Sequence, residues 1–350
     1  MLSYADPTGV RPPADFAGAD AGLIPAISVP GDIFTRLAVS DRRTLEQTFL
    51  DRYGSVSGEF VAPDEVVFFL TAELAIGAVA RELAQTGVRR IGVPEPTSPV
   101  LPHLLREAGL DPVPVPEDDD ALLTVVDTLP AVFLVLPNDP TGWTPSPRAL
   151  AALPAAAKAS GCRVVVDRGF RFHQDRQFSR LFLSDYDWID VQDTAKTWST
   201  GGTALAFVRA SMPGTVEALR RDYGHVTAVP PLNFHVASEA IVLEGGDRRV
   251  RRAVMRNRVA LESALDALGF SIASRPLGVA LVSLACGFPA DATLLAERLR
   301  AAGVEVVPGR SFFWASPHRG EEFIRVSLAR PIDDFEDHVA ALAEAIKACA

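Results

Sequence analysis

Lysine is nearly missing from this chain. Of the 34 basic residues among its 350, only Lys158, Lys196 and Lys347 are lysines, and the other 31 are arginines. Arginine has been used wherever a plain positive charge suffices, so a lysine that remains is a candidate for amine chemistry, which an always-charged guanidinium cannot perform. Cysteine is equally scarce. Cys162, Cys286 and Cys349 are widely separated and form no CxxC pair, which excludes a zinc ribbon and a disulfide-framed secreted domain. A chain of this length buries about three quarters of its unfolded surface, so it needs neither a disulfide nor a structural metal to fold. A reducing cytoplasm is the expected compartment.

The apolar runs Val66–Leu70 and Ala131–Leu136 fall far short of a membrane span. The first thirty residues carry Asp6, Asp15 and Asp20 against Arg11 alone, so no basic segment followed by an apolar one is legible and export is not expected. The formal charge of −10 repels phosphate backbones and anionic lipid, so neither nucleic acid nor a membrane is expected as a partner. The six histidines are dispersed, with no pair at ligand spacing, and no metal is expected. GxGxxG after a strand, GxxxxGK[ST], HExxH and GxSxG are all absent, which removes the usual warrants for nucleotide binding, zinc proteolysis and nucleophilic-serine hydrolysis.

What is present, from about residue 65, is an alternation of short apolar runs with amphipathic stretches, the pattern of βα repeats around a mostly parallel sheet. Strands are expected at Arg90–Val93, Ala131–Leu136, Arg163–Val166, Trp188–Gln192 and Ala204–Val208, with helices at Thr71–Gln85, Val100–Ala108 and Pro147–Ala159. Further helices are expected at Pro213–Arg221 and Asn233–Glu244, and Asp247–Leu268 is long enough to bridge two lobes. Strands Phe270–Ala273, Val279–Leu284 and Phe323–Leu328 with helices Asp291–Ala302 and Asp333–Ala348 then suggest a second, α+β lobe. The acidic run Glu117–Asp120 reads as a solvated loop.

Three segments begin where an expected parallel strand ends, which is where open α/β sheets place their ligands. They are Pro137-Asn138-Asp139-Pro140-Thr141-Gly142, Val166-Asp167-Arg168-Gly169-Phe170 and Asp193-Thr194-Ala195-Lys196-Thr197-Trp198. A lysine and a carboxylate converging on one crevice suit pyridoxal phosphate: the amine forms a Schiff base, and the carboxylate keeps the pyridine nitrogen protonated as an electron sink. Each residue also has a structural reading. Asp167 suits a helix N-cap, Arg325 an edge-strand charge, Asn138 and Asp139 a turn before Pro140, and Trp198 core packing.

The order and spacing of the motifs resemble the fold-type I, class I/II aminotransferases, of the aspartate and histidinol-phosphate aminotransferase kind, from about Leu45 to the C-terminus. Leu45–Tyr53 followed by Glu65–Ala80 is similar to the lead-in to the family's phosphate-loop helix, and Val93–Pro99 to "vPePtYp". Pro137–Gly142 resembles "PNNPTG", Val166–Phe170 "vDEaY", Asp193–Lys196 "SxSK", Gly303–Gly309 "GvxvxPG" and Phe323–Leu328 "xxRxsxa". The resemblance implies pyridoxal 5'-phosphate as cofactor, a Schiff base and 1,3-proton transfer at Lys196, Asp167 on the pyridinium nitrogen, and Arg325 on the substrate carboxylate, with Arg330 its competitor.

The expected cofactor contacts are Asp139, Asn138, Phe170, Ser98, Thr71, Thr194 and Ser199, and Trp198, next to the lysine, is expected to line the substrate pocket. The resemblance implies an α/β fold: a three-layer α/β/α large domain with a mostly parallel sheet at about residues 45–245, and a small α+β C-terminal domain at 246–350. An N-terminal arm at 1–44 joins the small domain. A homodimer acting on a small-molecule amino substrate is expected.

Several positions depart from the family. Asp139 stands for its asparagine, Phe170 for its tyrosine, and Ser98 for its stacking aromatic. Asp193 stands for the serine or threonine three before the lysine, Ala204 for the arginine eight after it, and Leu70 for a phosphate-loop glycine. Thr71, Thr194, Ser199, Thr200, Arg168 and Arg209 are the residues that could compensate. Asp193–Trp198 is also similar to "DTGKtW", written by an antibiotic-pathway branch that acts on arginine-like amino acids, which points to specialised, natural-product metabolism. The alternative to a pyridoxal-phosphate enzyme is the same fold without the cofactor, acting as a cofactor-independent enzyme or a binding subunit.

Overall fold

The computed structural model describes residues 14–15, 41–170, 178–183, 185–224, 228–243 and 247–349. Most of the expected N-terminal arm and Glu244 lie outside these residues. In chain order the elements are β1 (Ala14–Asp15), α1 (Arg42–Ser57), β2 (Val66–Phe69), α2 (Ala72–Gln85), β3 (Arg90–Glu95), α3 (Val100–Glu107), β4 (Asp111–Pro116), α4 (Asp119–Thr128), β5 (Ala131–Val135), α5 (Pro147–Ser160), β6 (Arg163–Asp167), β7 (Trp188–Asp193), β8 (Ala206–Ala210), α6 (Pro213–Tyr223), α7 (Pro231–Val242), α8 (Asp247–Asp266), β9 (Ser271–Ile272), β10 (Val279–Ser283), α9 (Ala292–Ala301), β11 (Val304–Glu305), β12 (Val307–Pro308), β13 (Phe323–Ser327) and α10 (Ile332–Cys349).

The fold is α/β, built on a seven-stranded sheet of order β2-β8-β7-β6-β5-β3-β4. Pairing is parallel from β7 through β6 and β5 to β3 and β4, and β8 runs antiparallel to both β7 and β2. Strands such as β5, buried along their whole length, require cover on both faces. One face receives α2, α3 and α6 through Ile76, Val79, Leu83, Leu105 and Leu219. The other receives α4 and α5 through Leu122, Val126 and Leu153. At the β2–β8 end, Phe49 and Tyr53 of α1 pack with Phe68, Phe207 and Phe234 in edge-on contacts. A four-stranded sheet, β12-β13-β10-β9, forms a second core with α8, α9 and α10. Among the described residues no helix is long and apolar enough to cross a membrane.

β4 is absent from the sequence reading because Pro112, Pro114 and Pro116 argue against a strand. It lies at the sheet edge, and the Asp111 amide donates inward to the Arg89 carbonyl at 2.7 Å. By strand alternation Val113 and Val115 also present their amides to β3, so the prolines fall on the outward positions, where no ladder bond is lost. The acidic run is corrected as well. Asp118 caps α4 by accepting from the Ala121 amide at 2.9 Å, Asp119 and Asp120 sit in the helix's first turn where its dipole favours them, and Glu117 is half-buried, bonded to Asn138 and Thr141.

An ionic cluster lies under the β6–β7 ends. Arg168 immediately follows β6 and is 1% exposed. Its guanidinium meets Glu59 at 2.8 and 2.9 Å and Asp190 at 2.6 and 2.8 Å. Arg209 joins the same two carboxylates at 2.7 and 2.6 Å, and the Tyr53 hydroxyl lies 2.8 Å from Glu59 Oε2. Two carboxylates and two guanidiniums therefore cancel away from water. Removing one member of a buried pair leaves an uncompensated charge and costs about 3–5 kcal/mol. Arg168→Met is accordingly expected to lower the unfolding free energy by about 3–5 kcal/mol, read as a lower urea midpoint at unchanged slope.

Candidate active site

Asp167 ends β6 and Asp193 ends the adjacent β7, so both carboxylates emerge at the carboxyl edge of the parallel strands. The Lys196 turn follows directly. Its backbone is closed by a 2.8 Å contact between the Thr194 and Thr200 hydroxyls, by the Leu205 amide on Thr194 Oγ1, and by the Lys196 amide on Asp193 Oδ1 at 3.3 Å. Ser199 takes a left-handed conformation there, φ 56°, at a cost of about 1–3 kcal/mol for a residue with a side chain. Gly169 sits between the groups: a Cβ there would be 3.4 Å from Asp167 Oδ1, 3.4 Å from Asp193 Oδ2 and 3.6 Å from Lys196 Cδ. Asp167, Asp193 and Lys196 thus converge on one point.

The electrostatics follow from that convergence. Burial opposes the Lys196 ammonium, but Asp193, Asp167, Asp139 and Glu73 outweigh it and raise its pKa. Burial is also the largest influence on Asp167, with Asp193 and Glu73 acting in the same direction. Lys196 and the Gly169 amide oppose them, and the carboxyl is pushed up to about 6. The Lys196 amine stands 5.1 Å from the Phe170 ring centre, a cation–π contact in the place of a hydroxyl.

Asp139 is 5% exposed. Its Oδ2 lies 3.6 Å from Arg325 Nη1, and its Oδ1 accepts no hydrogen bond among the described residues. The Arg325 guanidinium also stacks over Phe312 at 5.3 Å.

Other expected site residues are occupied by the protein itself. Asn138 donates to the Pro96 carbonyl and to Glu117 Oε1, both at 2.6 Å, and accepts from Thr97 Oγ1 at 2.8 Å, while Thr141 Oγ1 donates to the same Glu117 oxygen. It therefore ties the β3 and β5 loops together. Burial pushes the Glu117 carboxyl up, against the pull of Thr141 and Asn138. Thr194 is spent on its own turn, and Thr71 caps α2 by accepting from the Leu74 amide. Arg168 and Arg209 are held in the ionic cluster and do not supply the expected compensation. Trp198 is buried in the aromatic core, edge-on to Tyr53, and Ser98 gives its carbonyl to the start of α3. Arg330 lies in the segment after β13, where its carbonyl accepts from Asn257.

A cavity of about 220 Å³ opens beside Lys196 at the N-terminus of α2, lined by Leu70, Thr71, Glu73, Asp193 and Ala204 among others. Glu73 and Glu117 escaped the sequence reading. The position of Glu73 in the first turn of α2 is the available signal, whereas nothing local marks Glu117 as an acceptor for Asn138 and Thr141.

The family model for aminotransferase class I and II matches residues 40–342, and the chain belongs to that family of pyridoxal-phosphate-dependent aminotransferases. Among curated relatives, the valine–pyruvate aminotransferase of Mycobacterium tuberculosis is 25% identical over 268 residues, covering 71% of this chain and 67% of its own. The aspartate/prephenate aminotransferase of Thermus thermophilus is 24% identical over 285 residues, 77% of this chain and 73% of its own. Among solved structures, MppP soaked with its product 2-ketoarginine superposes with a TM-score of 0.82 at 23% identity, covering 95% and 99% of the two chains. Thermus thermophilus aspartate aminotransferase gives 0.75 at 19%, covering 94% and 97%. At these identities the structural likeness establishes the fold.

Burial of the Asp167 carboxyl makes stability depend on pH. The group ionises near pH 4 in the unfolded chain and near 6 in the fold, so the folded state is penalised fully above pH 6 and not at all below pH 4. Asp167→Asn is expected to stabilise the cofactor-free protein by about 2–3 kcal/mol at pH 7.5. The gain vanishes towards pH 4, as followed by urea unfolding across that range.

Proposed function

We propose that this chain is a pyridoxal-5'-phosphate-dependent aminotransferase of an amino acid or related amine. In this reading it works as a cytoplasmic homodimer in natural-product metabolism, with Lys196 as the residue that holds the cofactor. The observation that carries the reading is the convergence of Lys196 and Asp167 at the ends of adjacent parallel strands. At its ring and aldehyde end the cofactor fits these residues, an amine to hold it and a carboxyl of shifted affinity to hold its ring proton. The likeness to MppP and the Asp193–Trp198 motif support an arginine-like substrate.

When bound, the cofactor supplies an electron sink for charge developing at the substrate α-carbon. Lys196 Nζ moves the proton on and off that carbon. The surrounding carboxylates favour its protonated form, so it is ready as the acid and is restored as the base at the expense of that field. Asp167 holds the proton of the ring nitrogen, a task that a carboxyl ionising near 6 performs at neutral pH. Arg325 receives the substrate carboxylate and must share its charge with Asp139, 3.6 Å away. Burial of Trp198 and Phe170 closes the far side of the lysine turn to water.

Borohydride reduction of protein incubated with pyridoxal phosphate, followed by peptide mapping, is expected to label Lys196. Lys196→Ala is expected to lose the label, the visible band and about 10⁴-fold or more in amino-transfer rate. Retention of both band and rate would overturn the assignment, and an absent band at saturating cofactor would favour the cofactor-free alternative. Asp139→Asn frees Arg325 and is expected to lower KM for an α-amino acid donor by roughly three- to tenfold.

A further inference from the structure

The end of the pocket where this family holds its phosphate is built here of the wrong charge. The 220 Å³ cavity at the start of α2 brings together Leu70, Thr71, Glu73, Asp193, Lys196 and Ala204. These include all three positions at which the sequence departs from the phosphate cup: Leu70 for a glycine, Asp193 for a hydroxyl and Ala204 for an arginine. The two arginines named from the sequence as possible compensation, Arg168 and Arg209, are engaged with Glu59 and Asp190. The hydroxyls of Thr194 and Thr200 are bonded to each other.

Of the α2 first-turn amides, that of Leu74 is taken by Thr71 Oγ1 and that of Ala75 by the Thr71 carbonyl, leaving Ala72 and Glu73 to offer donors. Against those donors stand the buried Asp193 carboxylate and, exposed to water, that of Glu73. Among the described residues the sole cation lining the cavity is Lys196, whose amine the aldehyde consumes. A dianionic phosphate without a guanidinium partner and beside two carboxylates gains little or nothing from this end of the pocket.

We propose that this chain holds pyridoxal-class aldehydes through Lys196 and Asp167 alone and does not recognise the phosphate, so that unphosphorylated pyridoxal is taken as readily as its phosphate ester. The inference rests on the pyridoxal reading of Lys196 and deepens it. It assigns to Asp193 and Ala204 the loss of phosphate selectivity.

The test is a titration of the dialysed full-length protein with pyridoxal and, separately, with pyridoxal 5'-phosphate, following the visible band, with inorganic phosphate as competitor. Dissociation constants within about tenfold of each other, and no competition by phosphate, are expected. The variant Asp193→Ser/Ala204→Arg rebuilds the cup and is expected to raise the preference for the phosphate ester over pyridoxal by about 10–100-fold.

A wild-type preference of about 1,000-fold or more for the phosphate ester, or displacement by inorganic phosphate, would overturn the inference while leaving Lys196 as the anchor; a phosphate partner would then come from another segment or a second subunit. No band with either aldehyde would overturn this inference and the pyridoxal reading together. The wild-type ratio decides the matter even if the double variant fails to fold.

Discussion

The structure depends on a square of charge buried beneath the ends of two strands. Arg168 and Arg209 face Glu59 and Asp190 at 2.6–2.9 Å, away from water, where a lone charge would be prohibitive and a balanced set is tolerated. The square joins the segment after α1 to β6, β7 and β8. It also fixes the direction of the preceding residue: with Arg168 drawn to one side of the strand end, Asp167 is turned to the other, towards Lys196. Ordering the amine and its partner carboxyl is thus a by-product of neutralising a charge cluster on the opposite face.

The two sides of that strand end differ in balance. Beneath it, opposite charges match one to one. Above it, the buried Asp167, Asp193 and Asp139 surround one ammonium, with the exposed Glu73 adding to their field and Arg325 engaged at the margin. An excess of carboxylate in a buried site keeps the lysine protonated and makes Asp167 share protons near neutrality. It also sets the site's preference for what enters: neutral or cationic groups meet less resistance than anions, except where Arg325 waits.

The main features of this arrangement were legible in the sequence because they obey local rules. Apolar runs such as Ala131–Leu136 and the valines of Arg163–Val166 mark buried parallel strands, Ser146 before Pro147 and Thr71 before Ala72 mark helix starts, and a rare lysine at a strand exit marks chemistry. What escaped depends on partners distant in the chain. Glu117 is turned inward, half-buried, because Asn138 and Thr141, more than twenty residues away, donate to it. Arg168 looked available for an anion until Glu59, 109 residues earlier, was placed beside it. β4 escaped because a proline breaks a strand or leaves it intact according to which side of the sheet the missing amide faces, and that is a property of position rather than of sequence.

The same three prolines determine what can happen at that margin of the sheet. An edge strand ordinarily offers a row of donors and acceptors to any further strand that approaches, whether from another copy, a misfolded neighbour or an extended peptide. Along β4 the outward positions, Pro112, Pro114 and Pro116, carry carbonyls but no amide hydrogens, so an incoming strand would find acceptors without donors and could complete only half a ladder. The large sheet cannot be lengthened from this side. Contacts between copies at this margin must rest on side-chain surfaces, and the chain is protected there against runaway strand addition, however concentrated it becomes.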